Sequence, residues 1–181
     1  IVTDAHCMTR NYVDLISHKS DSMHVPKITK LLDGMLIQSY DGTVYQRSGP
    51  FCLDSARDIG IIKISSEAKF SEKPFPIGAA KNGAGLEVHT QDGIKHGLVG
   101  NHEFFRPAIS YNTIAITHDL ISTTLYGRPG DSGGPAIQTI IEQERPVKQY
   151  IGSTLIGSEK VAIRISDAAK NLEHMFKECR M

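Results

Sequence analysis

The sequence has no tryptophan, only three cysteines and no excess of charge of either sign. Three cysteines cannot all pair within one chain, and Cys7, Cys52 and Cys179 lack metal-ligand spacing, which excludes a disulfide-dense scaffold and a cysteine-based metal centre. A single disulfide is compatible with this count, and so is a fully reduced chain. Nothing in the sequence brings Cys52 and Cys179 together, and both are expected to be unpaired rather than joined to each other. Twenty Lys+Arg balance 20 Asp+Glu, a formal net charge of +0, so no long-range field gathers nucleic acid, anionic lipid or a strongly charged ligand. No nucleic-acid partner is expected. No apolar run approaches the roughly 18 residues of a membrane span, and no basic-then-apolar leader opens the chain, so neither a transmembrane segment nor a signal peptide is expected. Internal repeats, low-complexity tracts, glycosylation sequons and nucleotide-binding glycine loops are also missing. The remaining histidines, His18, His24, His89, His96, His102, His118 and His174, show no compact ligand spacing. No metal and no cofactor are expected.

What is present is an ordinary globular composition rich in turns: 181 residues, 40% hydrophobic and 22% charged, with 16 glycines and 8 prolines. A chain of this length forms one compact domain or two small subdomains sharing a core. Its first seventy residues read as hairpins. Asp33-Gly34 and Asp41-Gly42 punctuate short apolar stretches between Lys30 and Tyr45, the turn chemistry that two-residue hairpins favour. Ile59 to Ile64 reads as a buried strand, and the polar, proline-broken stretch from Ser65 to Pro76 reads as a connector between subdomains.

A second strand-rich set follows: Leu86 to Thr90, a turn at Asp92-Gly93, Ile94 to Gly100, Ile114 to Thr117, Pro135 to Ile141, Tyr150 to Ile156 and Val161 to Ile165. Helical spacing belongs to the tail. Ser166 is expected as N-cap and Asp167 in the first turn, with Ala168, Leu172, Met175 or Phe176, and Cys179 on one face. Lys177 and Arg180 lie at the negative end of the helix dipole. Many short strands with one terminal helix predict an all-β barrel or sandwich rather than a doubly wound sheet.

The chemistry concentrates in Gly130-Asp131-Ser132-Gly133-Gly134-Pro135, preceded by Tyr126-Gly127-Arg128-Pro129. Glycines around a serine allow a turn tight enough to present its hydroxyl and to aim the N–H groups of Gly130 and Ser132 at one spot, as an oxyanion hole requires. A serine hydroxyl also needs a base and an acid that orients the base. His6, in Thr3-Asp4-Ala5-His6-Cys7, and Asp58, in Asp58-Ile59-Gly60-Ile61-Ile62, are the candidates. The structural alternatives are a loop serine, a core histidine and an aspartate that ends a turn.

Taken together these strings resemble the chymotrypsin/trypsin-like serine peptidases, whose motifs are Thr-Ala-Ala-His-Cys, Asp-Ile-Ala-Leu and Gly-Asp-Ser-Gly-Gly-Pro. The chain order His, Asp, Ser is also that family's and not the order of subtilisins or α/β-hydrolases. The resemblance implies His6 as general base, Asp58 as its orienting partner and Ser132 as nucleophile, with Gly130 and Ser132 as oxyanion donors. It implies a serine endopeptidase acting on polypeptides through an acyl-enzyme. The alternative is a latent or catalytically inactive protease-like domain used for binding or regulation. The implied fold is a chymotrypsin-like double β-barrel with a C-terminal helix. Residues 1–75 would be the remainder of the N-terminal barrel and residues 76–181 the C-terminal barrel and terminal helix.

Departures from the pattern carry expectations of their own. The family places several strands ahead of its histidine, so the first barrel is expected to lack its N-terminal strands, supplied by an upstream or separately cleaved N-terminal segment, or else to be abbreviated. Ile1-Val2 resembles the approach to the histidine motif rather than the cleaved N-terminus that, in the family, inserts beside the aspartate equivalent to Asp131. Asp131 either orders the oxyanion loop through a charge pair, with a zymogen as one implication, or is a solvated turn acid. Tyr126, where the family's Arg/Lys-specific members carry an acid, argues against that preference. A small apolar or an acidic substrate residue remains, with Tyr126, Gly127, Arg128, Thr154, Leu155, Ile156 and Gly157 as the substrate-binding set. The missing disulfide pattern favours an intracellular or viral protein over a secreted one.

Overall fold

The computed structural model describes residues 2–4, 37–38, 44–45, 47–54, 59–65, 73–90, 92–103, 120–128, 130–156 and 162–179. Six antiparallel strands form a closed barrel: β6 (Gly85–Thr90), β7 (Gly93–Glu103), β8 (Leu120–Tyr126), β9 (Pro135–Glu142), β10 (Arg145–Ile156) and β11 (Ala162–Asp167). Their order around the barrel is β10, β11, β8, β7, β6, β9, and β9 closes on β10. Closure leaves none of the six with an unpaired edge. The sequence reason is alternation. Along β6, Leu86, Val88 and Thr90 point inward while Glu87 and His89 are half-buried between them, the period of two that a one-sided strand imposes. Leu86, Val88, Val99, Ile121, Ala136, Ile151, Ile163 and Ile165 fill the interior, each large side chain contributing about 1.5–3 kcal/mol on full burial.

Two features of the barrel differ from the sequence expectation. Strand β8 was not anticipated, and β9 and β10 form one long hairpin from Pro135 to Ile156. The hairpin turns at Gln143 (φ 48°) and Glu144 (φ 65°), with Glu142 paired to Arg145. Two consecutive left-handed residues match the twist of the flanking strands, but here neither is the Asn or Gly that advertises such a turn. The expected strand at Ile114 to Thr117 lies outside the described residues.

The N-terminal part contributes a three-stranded sheet, β1 (Val2–Asp4), β5 (Ile59–Ile64) and β4 (Arg47–Asp54), with β5 in the centre. Val2 pairs with Ile61, and Cys52 pairs with Ile61 from the other side. A short ladder joins β2 (Ile37–Gln38) to β3 (Val44–Tyr45), on either side of Asp41-Gly42, which lies outside the described residues with Asp33-Gly34. The connector then docks on the barrel. Gly78 N donates to Tyr150 O at 3.0 Å and Tyr150 N donates to Pro76 O at 2.9 Å. The buried Gln138 amide secures the same segment, donating to Ala79 O at 2.8 Å and accepting from Lys81 N at 3.0 Å.

Helix α1 (Ala168–Cys179) follows β11 directly. Its N-cap is Asp167 rather than Ser166: Asp167 Oδ1 accepts from Lys170 N at 3.3 Å, three residues on, as a cap requires. Ser166 is still in the strand, where its hydroxyl accepts from Asn171 Nδ2 at 3.2 Å. Ala168, Leu172 and Met175 pack with Cys52, Ile59 and Ile61, so the helix from the end of the chain completes the core of the N-terminal sheet. Met175 takes the core position and Phe176 remains 41% exposed. Cys52, expected to be unpaired, is disulfide-bonded. The pairing was invisible in the sequence because it depends on tertiary packing. Among the described residues no helix is long and apolar enough to cross a membrane.

Candidate active site

The serine motif forms the connection between β8 and β9, residues 127–134. Its backbone is pinned from two sides. Gly133 N donates to Thr154 O at 2.8 Å, and Thr154 N donates to Gly134 O at 2.9 Å, so the loop pairs with β10 before β9 begins. The Thr154 hydroxyl, buried beneath, donates to Asp131 O. Thr154 therefore supports the serine loop with both its backbone and its side chain.

Glycine is required twice here. Gly130 has φ 98°, a conformation that L side chains rarely adopt. At Gly134 a Cβ would stand 2.1 Å from His89 O, and that backbone atom belongs to strand β6. Gly130 is exposed, and its N–H meets no acceptor among the described residues. Ser132 is half-buried, and its Oγ donates to Leu155 O at 3.2 Å. The hydroxyl thus lies against the β10 backbone, two residues after the exposed Gly130.

Asp131 is buried, with its side chain 5% exposed. Its Oδ2 accepts from Lys95 Nζ at 2.9 Å and from Arg128 N at 2.9 Å, while Asp131 N donates back to Arg128 O at 3.1 Å. Oδ1 is buried with no hydrogen-bond partner among the described residues. Lys95 comes from β7, and its ammonium also donates to Tyr126 O at 3.1 Å. One cation therefore ties the end of β8 to the residue preceding Ser132. The Arg128 guanidinium turns away to Asp92 at 3.2 Å, an exposed pair worth at most about 1 kcal/mol.

The expected site residues divide into two sets. The structure brings together Gly130, Asp131 and Ser132 with Tyr126, Gly127, Arg128, Thr154 and Leu155. His6, Asp58, Pro129 and Gly157 lie outside the described residues, and of Ile156 the structure describes the backbone position at the end of β10. Tyr126 is 56% exposed, so its ring does not fill a buried pocket. Sequence reasoning missed Lys95. A signal was available: Lys95 shares the strand parity of the buried Val99, and a lysine at inward parity needs a partner carboxylate.

A second buried carboxylate lies at the end of β11. Asp167 caps α1 and stands 3.3 Å from His102 Nδ1. Burial pushes its carboxyl above the ordinary aspartate value, opposed by the Lys170 N–H and the nearby His102. Among the described residues no group of three or more His, Cys, Asp or Glu could hold a metal ion.

Sequence comparison finds no matching family profile and no matching curated protein. Solved structures do match. The Rv3671c protease from M. tuberculosis in its active form superposes with a TM-score of 0.58 at 14% identity, over 97% of this chain and 67% of that one. The HtrA-type protease AlgW with a decapeptide gives 0.57 at 15% identity, over 99% of this chain and 48% of that one. The MamO protease domain from Magnetospirillum magneticum gives 0.50 at 16% identity, over 77% of this chain and 72% of that one. At these identities the likeness is one of fold. This chain shares its fold with these proteases, and it spans about half the length of AlgW.

Proposed function

We propose that the chain is a serine endopeptidase with Ser132 as nucleophile, His6 as general base and Asp58 orienting His6. The observation that carries this reading is the serine loop itself. Ser132 is held by paired glycines against β10, and Gly130, two residues before it, is exposed with its N–H meeting no acceptor among the described residues. The motif strings around His6 and Asp58 and the fold likeness support the rest. On this reading Ser132 Oγ attacks a peptide carbonyl carbon as its proton passes to His6, and the N–H groups of Gly130 and Ser132 stabilise the oxyanion. His6 then protonates the leaving amine. Water, deprotonated by His6, hydrolyses the acyl-enzyme. Two barrels would form the cleft. The substrate side chain would meet Tyr126, Gly127 and Arg128 with the Thr154 to Gly157 strand, a surface with no acid to select Lys or Arg.

The test is covalent labelling of the purified protein with a serine-directed fluorophosphonate, mapped by peptide mass spectrometry. Stoichiometric labelling at Ser132, abolished in Ser132→Ala and reduced at least about 10³-fold in His6→Ala, is the expected result. A folded wild-type protein that takes no label overturns the enzymatic reading and leaves a latent or inactive protease-like binding domain.

A further inference from the structure

We infer that Lys95 is the positioning residue of the serine loop: its ammonium supplies, from within the barrel, the counter-charge that holds Asp131 and hence the backbone of Gly130 and Ser132. The inference deepens the reading of Ser132 as nucleophile and rests on it. Its ground is the asymmetry of the Asp131 carboxylate. Oδ2 receives both donors, Lys95 Nζ and Arg128 N, each at 2.9 Å, whereas Oδ1 is buried with none among the described residues. A carboxylate only 5% exposed needs a partner that holds it in place, and Lys95 is the cation that faces it. Arg128, nearer in sequence, contributes only its backbone N–H and sends its guanidinium to Asp92.

The connection reaches across the barrel. Lys95 lies 36 residues before Asp131, on β7, and it also accepts the duty of closing the end of β8 by donating to Tyr126 O. Asp131 in turn exchanges two hydrogen bonds with Arg128 and has its carbonyl held by the Thr154 hydroxyl. Releasing the ammonium therefore frees one wall of the loop while Thr154 continues to hold the other.

The experiment compares wild type with Lys95→Met, Lys95→Arg and the double variant Lys95→Met/Asp131→Asn. Two readouts are taken on each full chain: the rate of fluorophosphonate labelling at Ser132, and hydrogen–deuterium exchange of peptides spanning residues 126–134 and 135–142. Lys95→Met is expected to label about 10²-fold or more slowly, the scale of losing one oxyanion donor. Exchange should rise in 126–134 while 135–142 keeps its protection. Lys95→Arg should recover labelling to within about tenfold of wild type, because it restores the charge. If Lys95→Met does not fold, the double variant, which strands no carboxylate, is judged by the same criteria. Wild-type labelling and unchanged loop exchange in the charge-deleted protein overturn the inference, and so does an Arg variant as impaired as the Met variant. Should wild type itself take no label, the nucleophile reading fails, and the exchange comparison still decides whether Lys95 orders the loop.

Discussion

Two buried aspartates at different places on the barrel show how the choice of partner decides what a buried carboxylate can do. Asp131 and Asp167 are almost equally withdrawn from solvent, their side chains 5% and 2% exposed. Asp131 faces a lysine at 2.9 Å, whereas Asp167 faces a histidine at 3.3 Å that is itself 43% exposed. A lysine stays cationic across the working pH range and a histidine does not. Asp167 sits at a helix N-terminus, where both the dipole and the Lys170 N–H favour its anion, yet burial still pushes its carboxyl upward. Helix capping alone therefore does not offset desolvation here. The stable counter-charge stands beside Ser132, and the titratable one stands where a helix is being capped.

The sharpest way to break this contrast is to remove each partner in turn. Lys95→Met is expected to destabilise the fold by about 2–4 kcal/mol, toward the lower part of the range for stranding one member of a buried pair because the lysine is partly exposed. Chemical denaturation at neutral pH reads this. Adding Asp131→Asn to that variant should return part of the loss, since the stranded charge is gone. A loss under about 0.5 kcal/mol, the level of a surface substitution, would mean that Asp131 does not depend on Lys95.

Asp167→Asn probes the other carboxylate. Because the folded-state value is raised, the folded protein holds a proton over a window in which the unfolded chain has lost it. The window opens at the ordinary aspartate value near 3.8 and runs upward. Stability from this group is therefore greatest at acid pH and falls as pH rises through the window. Asparagine caps a helix about as well as aspartate and carries no charge. The variant should gain on wild type as pH rises from about 4 to 7, and Asp167→Ala, which removes the same titrating group and the cap as well, should follow the same trend about 1 kcal/mol lower. Urea midpoints across that range supply the check. A wild-type advantage that grows with pH would show that His102 and the helix N-terminus outweigh burial.

These contrasts also show what the sequence could disclose. Strands β5, β6, β9 and β11 were legible because aliphatic residues run through them, even where Thr90, Gln138 and Ser166 are buried among these. Strand β8 was not, because it places Thr123 inward, with Oγ1 donating to Ile163 O at 3.0 Å, and a hydroxyl satisfied by a neighbouring strand does not look apolar in a one-dimensional pattern. The β9–β10 hairpin stayed hidden because Gln143 and Glu144 adopt positive φ without Asn or Gly. The helix was placed correctly but its cap was displaced by one residue, since Ser166 and Asp167 are both good caps and only the strand register decides between them. At the site, Ser132 and its glycines stood out through chemistry that only such a turn permits. Lys95 did not, because its partner is 36 residues away and becomes a neighbour only when the barrel closes.

The smallest expected effect belongs to His102, and it tests whether the two aspartates differ in kind. His102 Nδ1 lies within ion-pair distance of Asp167 Oδ2, but its side chain remains 43% exposed, so solvent screens much of what it offers. Its charge is also present only when the imidazole is protonated. His102→Gln should therefore cost less than about 1 kcal/mol at neutral pH, the scale of an exposed ion pair, and leave the labelling rate of Ser132 unchanged. A cost at neutral pH comparable to that of Lys95→Met would erase the distinction, making both carboxylates members of tightly held pairs. A small cost alongside a large one at Lys95 would locate the fold's strongest electrostatic constraint beside its serine, where a loop of glycines would otherwise have the most freedom to move.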